Sequence, residues 1–220
     1  IRDFCLSRGL GDVYKRQGAE TVFMGSVGDD TFGEDLLRSL KQNGVQVQYV
    51  RRVKNLYSGT TVIFVDSEGN NSILYFPGAN EYIDTSYINV ILPHIISASV
   101  LLLQFEIPLN TIAYLLKKIP PDRPIVIVDP SPVNDLRILP VERIDFLTPN
   151  QIELASLTGS SDIVAGGKQL LELGVKRVIC KAGENGAWVI GRGEIKHFPA
   201  FRVHVVDTTA AGDAFNAGLA

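Results

Sequence analysis

The chain has 220 residues, 45% of them hydrophobic and 20% charged, enough to bury one substantial core and build one main domain. A net charge of −3 with both signs scattered along the chain argues against a nucleic-acid binder and against a basic membrane-surface protein. Apolar runs such as Val100–Leu103 are far too short to span a bilayer, and two cysteines, Cys5 and Cys180, offer no disulfide framework, so the cytoplasm is the expected compartment.

Residues 1–17 read differently from the rest. Ser7-Arg-Gly-Leu-Gly-Asp-Val-Tyr-Lys-Arg-Gln17 is the residue-for-residue translation of a string that resembles a transposon-end adapter used in sequencing libraries. We therefore expect residues 1–17 to be non-native and the genuine domain to occupy 18–220, with a native N-terminal helix as the rival idea. An uninterrupted native reading frame upstream of Gly18 in the source DNA would overturn this. At the other end, Ala214–Ala220 reads as a helix cut in its second turn, so a fragment of a longer gene is expected.

From Thr31 to Asn43, Phe32, Leu36, Leu37 and Leu40 recur at helical spacing, and Gly44 follows as a stop. Thr60–Asp66 and Ser72–Phe76 are β-rich runs flanking Ser67-Glu-Gly-Asn-Asn71, which predicts a hairpin projecting as a small lid. From Ser99 onward, strands at Val100–Phe105, Ile125–Asp129, Phe146–Pro149 and Val178–Lys181 alternate with helices at Leu109–Ile119, Gln151–Leu157 and Val164–Leu173. A hairpin-like pair, Ala187–Ile190 and Glu194–Phe198, follows. Strands alternating with helices predict an α/β three-layer sandwich around a mostly parallel sheet. Ligands of such sheets bind outside the carboxyl ends of the strands, where Glu106, Asp129, Asn150, Lys181 and Gly183 fall. That convergence predicts one crevice. His94, His197 and His204 show no ligand spacing, and Cys180 reads as a buried thiol.

The run Asp207-Thr-Thr-Ala-Ala-Gly-Asp-Ala-Phe-Asn-Ala217 carries the sharpest chemical signal. Ala210, Ala211 and Gly212 have almost no side chain, so their N–H groups can face an anion at the positive end of the following helix. Asp213 then lies in the first turn, placed to act as general base toward an attacking hydroxyl. An ordinary helix start with an acidic residue is the plain alternative. Asn150 and Glu153 lie three apart and can face one ligand, reaching Mg²⁺ through water, or form a capping box, or both. Lys181-Ala-Gly-Glu-Asn-Gly186 can hold a ligand close to backbone or be a plain turn. Glu106 can accept hydrogen bonds from a ligand or sit as a solvated strand-end carboxylate. The chain has no Gly-x-x-x-x-Gly-Lys-Ser/Thr, so a P-loop kinase is not supported.

Asp-Thr-Thr-Ala-Ala-Gly-Asp-Ala-Phe-Asn resembles the C-terminal signature of the PfkB, or ribokinase-like, family of sugar kinases. Gly25-Ser-Val-Gly-Asp-Asp-Thr-Phe-Gly33, Thr148-Pro-Asn-Gln-Ile-Glu153 and Lys181–Gly186 resemble further family motifs in the expected order, from about Gly18 to the last residue. The resemblance implies ATP-dependent phosphorylation of a sugar hydroxyl, with Asp213 as base and the backbone of Ala210, Ala211 and Gly212 as anion hole. It implies that Asn150 and Glu153 organise Mg²⁺ and phosphate, and that Lys181, Gly183 and Gly186 lie beside the nucleotide. Glu106 would bind the sugar, and Asp207 and Thr209 would form half of a K⁺ site. It also implies a lid that closes over the sugar and pairs with a second copy in a homodimer. The spelling favours D-ribose as acceptor; fructose, 2-keto-3-deoxygluconate or a nucleoside, or a non-catalytic sugar- or nucleotide-binding relative, are the alternatives. The Gly28–Gly33 loop is expected to support sheet and lid, and Gly78, Ala79 and Asn80 to wall the sugar pocket. The family's first-strand Asp and the Gly-Gly segment after it are missing here, which predicts an incomplete sugar pocket and weak or no activity from this chain alone.

Overall fold

The structure is a computed structural model that describes residues 18, 20–65, 71–205, 208 and 210–220. Packing divides it into two units, one reaching Asp84 and including the last helix, the other built from Thr85 to Thr208.

The first unit opens with β1 (Ser26–Gly28), followed by α1 (Thr31–Gln42) and β2 (Arg51–Val53), which pairs parallel to β1. α1 starts at Asp30, whose side chain accepts the Gly33 N–H at 2.8 Å, and ends before Gly44 at φ +77°. Leu36, Leu37 and Leu40 are buried with Val27 and Val45 in a small core that also takes Phe23, Val47 and Val50. Phe32 departs from the expected face: it is 58% exposed. At about 100° per residue it lies roughly 90° round the helix from the centre of the Gly33/Leu36/Leu37/Leu40 stripe. Gly33 takes the inward place instead, where a Cβ would come within 2.8 Å of both the Gly28 carbonyl oxygen and Ser58 Oγ.

β3 (Thr60–Val65) and β4 (Asn71–Phe76) form a separate antiparallel pair, the expected lid hairpin. Its connecting segment, 66–70, lies outside the described residues. The hairpin is rooted by polar contacts. Asp30 accepts the Ser58 N–H at 2.8 Å and the Ser58 hydroxyl at 2.6 Å, and Ser58 Oγ accepts the Gly28 N–H at 3.0 Å. After β4, a short 3₁₀ turn over Gly78–Tyr82 is held by Ala79 N–H to the Tyr57 carbonyl and by Ser26 Oγ–H to the Ala79 carbonyl, at 2.8 and 2.5 Å.

The second unit contains α2 (Thr85–Ser97), β5 (Val100–Gln104), α3 (Leu109–Lys118), β6 (Ile125–Asp129), β7 (Phe146–Leu147), α4 (Gln151–Thr158), α5 (Ile163–Leu173), β8 (Arg177–Lys181), β9 (Ala187–Gly191) and β10 (Glu194–Phe198). The sheet order is β10-β9-β8-β7-β6-β5. β5 to β8 are parallel, and β9 and β10 add antiparallel strands at one edge. Val126, Ile127, Val128, Val178, Ile179 and Cys180 are all buried, the near-continuous apolar run of strands covered on both faces. α2 packs on α3, α4 on α5, and α5 on β8 and β9. The last element, α6 (Ala211–Leu219), belongs to the first unit. Among the described residues no helix is long and apolar enough to cross a membrane.

Candidate active site

Because β5 to β8 run parallel, Glu106, Asp129, Asn150 and Lys181 fall at or just beyond their carboxyl ends. Glu106 sits half-buried in the turn after β5. Asn150 is the N-cap of α4. Its side chain accepts the Glu153 N–H at 2.8 Å, and Glu153 Oε2 accepts the Asn150 N–H at 2.7 Å, so the capping box is formed. Lys181 joins the same edge through a backbone bond to the Pro149 carbonyl (2.8 Å) and a bridge to Asn150. Its Nζ lies 3.0 Å from Asp129 Oδ1.

Burial pushes the Glu153 carboxyl above its ordinary value. The Asn150 N–H pulls it back, Asp129 pushes it further up, and Lys181 and a hydrogen bond with the Ser131 side chain pull it down. Ser131 is a neighbour that the motif spelling did not single out. Burial also pushes the Cys180 thiol up to about 11, which makes it an inert structural thiol. The donors around Asn150 and Glu153 are oxygens, as Mg²⁺ prefers. The capping box engages one Glu153 oxygen with the backbone, and no cluster of three His, Cys, Asp or Glu occurs among the described residues. The oxygen donors of Asn150 and Glu153 suit a hard cation such as Mg²⁺, which takes few protein ligands and keeps several waters.

Gly183 and Gly186 bracket the turn after β8 with φ +57° and +82°. A Cβ on Gly186 would overlap the Phe198 carbonyl oxygen, so the turn needs glycine there for packing as well as for backbone conformation. Beside it, His197 stacks on Trp188 with ring centroids 4.5 Å apart, and its Nε2 lies 2.7 Å from the Asn185 carbonyl oxygen.

In the first unit, Asp213 lies in the first turn of α6 and is 8% exposed. Ala210 precedes it with φ +60°, and its carbonyl accepts the Ala214 N–H at 2.9 Å. A left-handed alanine costs about 1–2 kcal/mol, a strain that clusters at ligand-binding loops. Ala211 and Gly212 open the helix, where N–H groups lack intrahelical acceptors. Asp207 and Thr209 lie outside the described residues. Gly78, Ala79 and Asn80 fall in the 3₁₀ turn behind the lid, where Asn80 Nδ2 donates to Tyr75 Oη at 3.0 Å.

Polar side chains gathered at the carboxyl edge of a mostly parallel sheet mark the place where small-molecule ligands of α/β folds bind. Comparison with known proteins goes further. The model of the pfkB family carbohydrate kinases matches residues 12–220. The deoxyribokinase of Salmonella typhi is 32% identical over 203 residues, covering 90% of this chain and 66% of its own length. The ribokinase of Schizosaccharomyces pombe is 34% identical over 201 residues, 87% of this chain and 63% of its own. Among solved structures, Arabidopsis thaliana ribokinase complexed with ribose and ATP is 30% identical and superposes with a TM-score of 0.83, over 96% of this chain and 71% of that one. The chain belongs to the pfkB family of carbohydrate kinases, and it spans about two thirds of the length of the curated relatives it matches.

Proposed function

We propose that this chain carries the catalytic segment of an ATP-dependent sugar kinase that converts D-ribose to D-ribose 5-phosphate. The observation that carries the reading is Asp213, a buried carboxylate in the first turn of α6 directly behind Ala210-Ala211-Gly212, in a chain of a carbohydrate kinase family. Asp213 takes the proton of the sugar hydroxyl. The hydroxyl oxygen bonds to the γ-phosphorus while the bond from that phosphorus to the bridging oxygen breaks, and ADP leaves with the electron pair. The backbone of Ala210, Ala211 and Gly212 stabilises the charge on the transferred group. Glu106 accepts hydrogen bonds from the sugar hydroxyls, and Lys181, Gly183 and Gly186 lie along the nucleotide. Asn150 and Glu153 would hold Mg²⁺ through water, and its chemistry is to neutralise phosphate charge. Asp207 and Thr209 would supply half of a K⁺ site that orders the phosphate loop.

Similarity to ribokinases supports ribose, and a relative complexed with ribose and ATP supports the nucleotide. The similarity to a deoxyribokinase favours 2-deoxy-D-ribose as the second reading. Sugar-dependent ADP release separates them. Ribose, 2-deoxyribose, fructose, 2-keto-3-deoxygluconate and adenosine would each be offered to the full-length parent enzyme, with and without K⁺. Preference for ribose is expected; preference for another acceptor moves the substrate but keeps the chemistry, and no turnover with any acceptor favours a binding protein.

A further inference from the structure

Asp129 has no role in the chemistry above, yet it pairs with Lys181 at the edge where ligands of this fold bind. The two partners are 52 residues apart in sequence and end the strands β6 and β8. The side chains are only 5% and 13% exposed, and Nζ lies 3.0 Å from Oδ1. Inward of it, the two strands are apolar and buried, through Val126, Ile127, Val128, Val178, Ile179 and Cys180. A buried ion pair contributes little stability over apolar residues of the same size, whereas a buried charge left without its partner is strongly destabilising. Packing alone therefore gives no reason to end both strands with charge. What the pair does provide is an ammonium held at a fixed point of the carboxyl edge, directly before the Gly183–Gly186 turn. Gly183 itself opens to free space, with no atom within 4 Å of where its Cβ would be.

We propose that Asp129 is the positioning residue that holds the Lys181 ammonium at this edge, where it meets a phosphate of the bound nucleotide. This rests on reading the Lys181–Gly186 turn as the nucleotide side. Lys181 has three donors; one engages Asp129, and the others remain available to an anion. Asp129 acts through Lys181. It fixes the direction of the lysine stem and supplies the counter-charge that makes a nearly buried ammonium tolerable. Without it, the side chain would swing toward solvent and away from the phosphate.

Calorimetric titration of the full-length parent enzyme with ADP and, separately, with adenosine tests this. The ratio of the two affinities isolates the phosphate contribution and does not depend on the fraction of chain that is folded. Lys181→Met and Asp129→Asn are each expected to weaken ADP about tenfold, as for loss of one charge-assisted hydrogen bond, with adenosine unchanged. The double variant is expected to be no weaker than either single one, because the two residues act as one unit. Lys181→Arg, which keeps the charge, should recover part of the loss. If Lys181→Met weakens ADP but Asp129→Asn does not, or tightens it, Asp129 is no positioning residue, while the nucleotide-side reading stands. If Lys181→Met leaves the ratio unchanged, or the unaltered parent enzyme binds no ADP, the nucleotide-side reading fails and this proposal with it.

Discussion

Asp213 is buried and Glu153 half-buried, for different reasons, and their variants should separate accordingly. Asp213 carries the proposed proton transfer, and a positioned base contributes about 10²–10⁴-fold to rate. Asp213→Ala in the parent enzyme should lower kcat by that order while ADP still binds; a variant with unaltered kcat would remove Asp213 from the chemistry. Glu153 is held above its ordinary value of 4.5, chiefly by burial. A carboxyl raised in the folded state binds its proton more tightly there than in the unfolded chain. The stability it confers is therefore full below about pH 4.5 and is lost as pH rises through the higher folded value. Glu153→Gln keeps the capping box, since glutamine can occupy that place, and removes the titration. Melting temperatures of the two proteins should coincide near pH 4, and the glutamine variant should pull ahead as pH rises toward 7. A constant difference across that range would mean that Glu153 does not titrate as described. The positions of these carboxylates were readable from local spelling. The capping box could be read because its partners are three residues apart; the facing of Asp129 to Lys181 could not, because it depends on the register of three strands.

The same contrast holds for helices and strands. α3, α4 and α5 and the strands β5, β6, β8, β9 and β10 were legible within a residue or two, because each shows its own period and stop signals. α2 was not anticipated. Tyr87-Ile-Asn-Val-Ile-Leu-Pro-His-Ile-Ile reads as β-branched and broken by Pro93, yet Tyr87, Ile88, Ile91 and Ile95 are buried along one helical stripe. Burial of that stripe overrides propensity. β1 and β2 are three residues each, too short to show a period. The link between α1 and the lid was hidden for a further reason: Asp30 and Ser58 are 28 residues apart. Burial opposes ionisation of Asp30, but hydrogen bonds from the Ser58 hydroxyl and N–H and the Gly33 N–H outweigh it and hold the carboxyl below 3.8. Its contribution to stability is thus present above that pH and is lost as pH falls through the lowered value. Asp30→Ala removes a helix cap, at about 1 kcal/mol, and leaves the Ser58 N–H and hydroxyl without an acceptor, at roughly 1–3 kcal/mol more. Urea unfolding at pH 7 should show a loss of about 2–4 kcal/mol, and the difference from the unaltered chain should shrink as pH falls below 3.8. A loss of about 1 kcal/mol would leave Asp30 as a cap alone. Asp30→Asn, which still caps α1 but cannot accept both Ser58 bonds through one oxygen, should fall between the two.

The lid raises the question of assembly. Val62, Phe64, Leu74 and Phe76 lie on one face of the β3–β4 pair and are 39%, 54%, 51% and 55% exposed. Four large apolar side chains on a two-stranded sheet are unusual for a surface that faces only water. Pairing with a second copy through the lid is what the family resemblance implies; if this face makes the contact about a two-fold axis, the magnitudes say how tight it should be. Covering the remaining half of each side chain contributes about 1 kcal/mol, hence on the order of 8 kcal/mol for both copies. Loss of translational and rotational freedom costs about 4–15 kcal/mol, so these side chains alone leave association near balance. Reversible, concentration-dependent dimers are therefore expected, and a tight obligate dimer would require further contacts. Sedimentation equilibrium over a hundredfold range of concentration should show the chain passing from monomer toward dimer. Phe64→Asp places a charge in the contact twice, once from each copy, because a two-fold interface repeats every substitution. That variant should remain monomeric throughout, with its unfolding midpoint unchanged at low concentration, since Phe64 is already half exposed. Monomer at every concentration in the unaltered chain would exclude the lid face as a self-contact, and a dimer that survives Phe64→Asp would place the contact elsewhere on the molecule.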